Sequence, residues 1–145
     1  MTKLTTEDLL AIHQLEAQFG HVIDDVHRDC NWERLYDVLT EDATYDYSQV
    51  GGEPLCGVAA MISHWDAHPE MFPLSHHITN VVITEDDDGT VRVRSKVLAP
   101  LSEGLPRTSV YDDLVVRTEA GWRIAYRNAT QLTPEGIRQG SKPRA

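Results

Sequence analysis

The stretch HHITNVVITEDDDGTVRVRSKVLAPL, His76 to Leu101, decides how this chain folds. HHITNVVIT is rich in β-branched residues and reads as a strand, and EDDDG is an acidic turn closed by glycine. TVRVRSKVLAPL alternates Val with Arg or Lys through its first half, the mark of a strand with one dry face and one wet face. Together they predict an antiparallel hairpin. Downstream, SEGLPR makes another turn, and TSVYDDLVVRT and GWRIAYRNATQL are two more strands joined by EAG. The chain from His76 to Leu132 is therefore expected to be an antiparallel meander.

Upstream the periodicity changes. Thr5 is a candidate N-cap with Asp8 three residues on, a variant of the capping box. Ile12, Leu15, Phe19, Val22 and Val26 recur at helical spacing, which predicts a helix from about Glu7 to Val26. A short second helix is expected in NWERLYDVL, with Trp32, Leu35, Tyr36 and Leu39 on its apolar side. TEDATYDYSQVGG reads as a turn and a strand ended by Gly51-Gly52. CGVAAMISHWDAH has a third helical pattern carried by Val58, Met61, Ile62 and Trp65. Helices followed by a meander argue an α+β class, a cone-shaped α+β barrel with the N-terminal helices on a curved, mostly antiparallel sheet. A pocket is expected between that sheet and the first helix.

The bulk numbers narrow the function. At 145 residues the chain is one ordinary domain, expected to span 1–132, with a polar, flexible tail over 133–145. A net charge of −10 excludes the clustered Lys and Arg that nucleic acid or an anionic membrane surface requires. No apolar run approaches the roughly 18–20 residues of a membrane span. MTKLTTEDLL has no apolar signal-peptide core. Cys30 and Cys56 lack metal-type spacing, and reduced thiols in the cytoplasm are expected.

His76 and His77 raise a question of direction. Successive strand side chains point to opposite faces, so one of the two looks inward at most. An inward histidine lining a cavity is a candidate acid or base.

The helix ending FGHVIDD, the run WERLYDVLTEDATYDYS, PLCG before a helix, the HHITN strand and the closing YDDLVVRTEAGWRIAYR resemble the SnoaL-like branch of the nuclear transport factor 2-like fold. That branch includes polyketide cyclases, scytalone dehydratase, bile-acid dehydratases and a hexachlorocyclohexane dehydrochlorinase. The likeness covers roughly Asp8 to Leu132. It is specific for the fold and much less so for the reaction, because one scaffold hosts many chemistries. Compared with scytalone dehydratase, the resemblance places His76 at the catalytic histidine, Asp24 at the catalytic aspartate with Asp25 beside it, Tyr47 at a water-holding tyrosine and Ser109 at a pocket serine. Ile23 replaces a second tyrosine, Leu101 a second histidine and Tyr111 a pocket asparagine. The linker from Asp24 to Trp32 is longer, so the choice between Asp24 and Asp25 stays open. These departures imply a substrate other than scytalone. The dehydrochlorinase relies on one His and one Asp in these two places.

The implied chemistry is general acid–base catalysis. A histidine with a carboxylate behind it takes a proton and is stabilised as imidazolium. Tyr47 would stabilise the developing oxyanion. A cofactor-independent lyase, isomerase or cyclase acting on a hydrophobic polycyclic or polyketide-like molecule is expected, with neither metal nor organic cofactor. Ile23, Val97, Leu101 and Tyr111 are expected to form an apolar wall, with Tyr45 on the strand face of Tyr47 and Asp113 on the face of Ser109. The alternatives are a binding protein that holds its ligand unchanged and a hydrolase, such as an epoxide hydrolase, that activates water. Epoxide hydrolases of this fold use an Asp-Arg-Asp set. Asp113 and Arg127 read first as a structural ion pair. His64 and His68 stand at i and i+4, but a solvated helix face is the stronger reading than a metal site. On a helical wheel neither Asp24 nor Asp25 lies on the Phe19 face, so for either to partner His76 the helix is expected to kink or unwind near Ile23. The outer sheet face is the expected surface of a homo-oligomer, dimer or trimer.

Overall fold

Thr5 caps the first helix chemically. Its side chain accepts from the Asp8 amide at 3.1 Å, while the Asp8 carboxylate accepts from the Thr5 amide at 3.0 Å. This reciprocal cap satisfies two amides at the start of α1, Thr6–Asp29. The computed structural model describes residues 3–134, so most of the stretch expected as a tail lies outside the described residues. Ile12, Leu15, Phe19, Val22, Ile23 and Val26 form the buried stripe of α1. Each contributes about 1.5–3 kcal/mol by leaving water. The helix ends at Cys30, whose left-handed φ of 57° closes it with a bond from its amide to the Val26 carbonyl. Cys30 and Cys56 are free and exposed.

A 3₁₀ turn, Trp32–Asp37, takes the place of the short second helix. Then come β1 (Leu39–Asp46), the two-residue β2 (Leu55–Cys56) and α2 (Val58–Ala67). The meander follows as β3 (His77–Glu85), β4 (Val91–Ala99), β5 (Arg107–Thr118) and β6 (Gly121–Gln131). The sheet order is β2-β1-β6-β5-β4-β3, antiparallel except where β1 runs parallel to β6. It is a curved, open cone and not a closed barrel, with β2 and β3 at its edges. The helical segments cover the concave face. β4 alternates buried and exposed along its whole length, as its Val/Arg pattern predicts.

β3 departs from that regularity. Thr79 pairs with Lys96 and Val82 with Arg94, so Asn80 and Val81 together oppose Ser95. This is a β-bulge, and Asn80 takes a positive φ of 54° that asparagine tolerates better than most residues. The bulge shifts the phase of alternation. Ile78 packs on the core before it, Val81 and Ile83 after it, and Val82 is 59% exposed. Read backwards from Val81 and Ile83 without the bulge, His77 would point inward. With it, His76 does.

α1 does not unwind at Ile23 and runs unbroken to Asp29. The strand comes to the helix instead. At Gly20 the backbones approach so closely that a Cβ would sit 2.9 Å from the His76 carbonyl oxygen. Asp24 lies one turn further on, on the same flank, and so meets the head of β3. Alanine here would gain about 0.5–1 kcal/mol of helix preference, but the overpacking outweighs it. Gly20→Ala is expected to lower stability by about 1–3 kcal/mol. Urea denaturation reads this directly, and an unchanged midpoint would show that the strand head yields freely.

Candidate active site

The inner face of the sheet is a ladder of tiers. Arg107 on β5 stands opposite Ala99 on β4. Ser109 stands between Val97 and Gln131, and Tyr111 between Ser95 and Ala129. Asp113 stands between Val93 and Arg127. A cavity of about 270 Å³ occupies the upper tiers. It is walled by Tyr45, Tyr47, Trp65, Phe72, His76, Val97, Arg107, Ser109, Tyr111 and Gln131, among others. At about 30 Å³ per water it would hold some nine waters, a volume suited to one or two fused rings. The Tyr45 and Tyr47 rings stack at 4.5 Å, and Trp65 meets Tyr45 edge-on at 5.5 Å. Burial raises the hydroxyl pKa of Tyr45 and of Tyr47 above the usual tyrosine value. Both therefore stay O–H donors at physiological pH.

His76 stands at the cavity edge. Its Nδ1 lies 2.7 Å from Asp24 Oδ1, and its backbone amide donates to Asp24 Oδ2 at 3.0 Å. The two side chains are 10% and 13% exposed. One carboxylate thus grips both ring and backbone, which fixes the imidazole against the strand. In a neutral imidazole, a carboxylate accepting from Nδ1–H makes Nε2 the nitrogen that carries the free lone pair. Asp25 points the other way, exposed, toward Arg28 at 3.0 Å and Arg34 at 3.5 Å. His77 is exposed and meets the Ser75 hydroxyl at 2.9 Å.

Several expected wall residues lie elsewhere. Ile23 is buried in the core beneath the cavity wall and does not line it. Leu101 falls beyond the end of β4, outside the lining. Asp113 is one tier too deep. It binds Arg127 through both carboxylate oxygens, with the Arg127 Nε at 2.9 and 3.1 Å and Nη2 at 2.5 Å. Arg127 also donates from Nη2 to Glu16 at 2.9 Å. Phe19 and Tyr111 cover the guanidinium, each about 4 Å from it. All three ionisable side chains are fully buried, and none of them lines the cavity. The His64 and His68 rings lie 4.9 Å apart and the Glu70 carboxylate lies 3.3 Å from His68 Nδ1, but among the described residues no three such side chains are grouped to hold a metal ion.

Sequence reading missed Glu16, Gly20, His27 and Arg107. Glu16 had a signal, an acid within the Ile12–Phe19 stripe. Gly20 had one too, since an isolated glycine inside a helix marks a close approach. His27 stacks on Phe72, a cavity-wall residue, at 3.3 Å and meets Trp32 edge-on at 5.1 Å. Burial first, and then the neighbouring His76, push it down to about 4, so it is a neutral ring behind the wall.

One guanidinium serves two carboxylates in the core. Asp113 takes the bidentate fork, and Glu16 receives one bond while its Oε1 has no partner. Burial pushes the Glu16 carboxyl up to about 8, against the pull of Arg127. The folded protein therefore binds a proton at Glu16 between about 4.5 and 8 that the unfolded chain does not. That stability is fully present below 4.5 and is lost as the pH rises through 8. Glu16→Gln is expected to flatten this decline, read as denaturation midpoints from pH 5 to 9. An unchanged pH profile would refute a protonated Glu16.

The profile of the SnoaL-like domain matches residues 4–128. The chain belongs to the SnoaL-like family. Three similar solved structures come from Novosphingobium aromaticivorans. One, described as a candidate aromatic ring hydroxylase, is 28% identical, with a TM-score of 0.73 over 91% of this SnoaL-like chain and 94% of its own. Another, described as an NTF2-like protein with a cystatin-like fold, is 26% identical, with a TM-score of 0.68 over 92% and 88%. The third, described as a candidate scytalone dehydratase, is 20% identical, with a TM-score of 0.69 over 88% and 85%, and speaks to the fold alone. No curated protein matches this SnoaL-like chain at a significant level. Among the described residues no helix is long and apolar enough to cross a membrane.

Proposed function

We propose that this SnoaL-like protein is a cofactor-independent lyase or isomerase, of dehydratase or cyclase type, acting on a small aromatic or polycyclic carbonyl compound. The observation that carries this reading is the His76–Asp24 pair, 2.7 Å apart at the edge of a cavity lined with aromatic rings. His76 Nε2 takes a proton from the carbon next to the carbonyl. Asp24 holds the ring in the required tautomer and stabilises the imidazolium. The Tyr47 hydroxyl, whose pKa burial keeps high, donates to the developing enolate oxygen. The proton then returns at another carbon, or a β leaving group departs, or a ring closes. The water-activating alternative through Asp113 finds no support in the geometry, because that carboxylate is absent from the cavity wall and both its oxygens are held by Arg127. A homo-oligomer would form on the outer sheet face, where Val82 lies exposed near Arg94 and Asp112.

The test is proton exchange without turnover. An enolisable bicyclic ketone such as 2-tetralone, incubated with the protein in D₂O, is expected to exchange its α hydrogens faster than in buffer, followed by proton NMR. No acceleration across a panel of one- and two-ring enolisable ketones would favour a binding protein that leaves its ligand unchanged.

A further inference from the structure

Among the described residues Arg107 is the one lysine or arginine on the cavity wall, and no aspartate or glutamate shares that wall. It opens β5 at the uppermost tier, opposite Ala99. Extending the His77–Leu98 pairing by one step brings His76 opposite the same Ala99 from the other side. The two residues therefore flank one position on β4, with backbones about 10 Å apart across two strand spacings. Arg107 Nη1 donates to the Met71 carbonyl at 2.8 Å, which uses one of five N–H donors and steadies the guanidinium. Among the described residues no carboxylate pairs with it. In a protein of net charge −10, most arginines find an acid. This one faces a cavity instead.

We propose that the substrate carries a carboxylate, bound by Arg107 at the mouth of the cavity, across Ala99 from His76. Below the guanidinium, Ser109 and Gln131 add a hydroxyl and an amide on the next tier. The stacked tyrosines and Trp65 take the rings. This inference rests on reading the cavity as the substrate site, but it does not need His76 to be a base. An unaided anion would be repelled by the acidic surface, so the arginine supplies selectivity as well as attraction.

The probes are 2-naphthoate and its uncharged counterpart 2-naphthamide, titrated by calorimetry at pH 8. Naphthoate is expected to bind the parent protein about tenfold or more tightly than naphthamide. Arg107→Gln should bring the two together by weakening naphthoate alone, and Arg107→Lys should retain part of the difference. Thermal melts of both variants confirm that they fold. Equal affinity in the parent, failure of both to bind, or a preference that survives Arg107→Gln overturns the proposal and leaves Arg107 as a latch on the 69–71 segment. His76→Ala should keep the naphthoate preference while losing ketone exchange. If the preference is lost instead, the anion contact belongs to His76 and the proposal fails.

Discussion

His76→Ala is expected to slow protein-catalysed α-hydrogen exchange of a bound ketone by about 10²–10⁴-fold, the usual contribution of a positioned general base. The fold should survive the change. The His76 backbone amide still donates to Asp24 at 3.0 Å, and the side chain lies at the cavity edge and not in the core. Asp24→Asn is the sharper variant. It conserves shape, and one amide oxygen still accepts from the His76 backbone. Its NH₂ group, however, would face Nδ1 and force the ring proton onto Nε2, the nitrogen that must accept. A loss of the same order is therefore expected, with no change in melting temperature large enough to explain it. Exchange retained above half the parent rate in His76→Ala would remove His76 as the base. Retention in Asp24→Asn alone would show that tautomer control is not its role.

The largest expected effect on stability comes from Arg127→Leu. Arg127 is fully buried and, among the described residues, is the sole cation paired with Asp113 and Glu16 in that core. Removing it leaves a buried carboxylate without its partner and deletes the contacts with Phe19 and Tyr111. Breaking one side of a buried pair costs about 3–5 kcal/mol, or roughly 10–20 °C in melting temperature for a chain of this size. That is roughly 30–50% of the stability of a small domain near the middle of the usual range, about 10 kcal/mol. Arg127→Lys is not conservative here, because an ammonium cannot make the fork to Asp113 or lie flat between two rings. If Arg127→Leu fails to fold, the triple variant with Asp113→Asn and Glu16→Gln provides the reading. Neutralising both acids should restore much of the loss, since the cost lies in uncompensated charge. A triple variant no better than Arg127→Leu alone would place the cost in packing instead.

Much of the architecture was legible in local pattern. The Ile12–Val26 stripe, the Thr5–Asp8 cap, the Val/Arg alternation of β4 and the turn residues between strands each depend on neighbours a few positions apart. Period and capping chemistry are therefore enough to read them. The short β2 and the parallel pairing of β1 with β6 were not legible, because neither leaves a periodic trace within one segment.

The site divides along the same line. Strand alternation drew attention to the His76–His77 pair, and resemblance to a family pointed to His76, Asp24 and Tyr47. Which histidine looks inward depends on the bulge at Asn80, which sets the phase of His76 apart from that of Val81 and Ile83. Which aspartate it meets depends on Gly20, where the missing Cβ lets strand and helix touch and makes a kink unnecessary. Arg107 reaches the cavity, and Asp113 does not, because they occupy different tiers of one strand. Alternation along a chain assigns residues to faces. Depth along a cone and the distance between two backbones arise only when remote segments pack, so those features belong to the folded molecule.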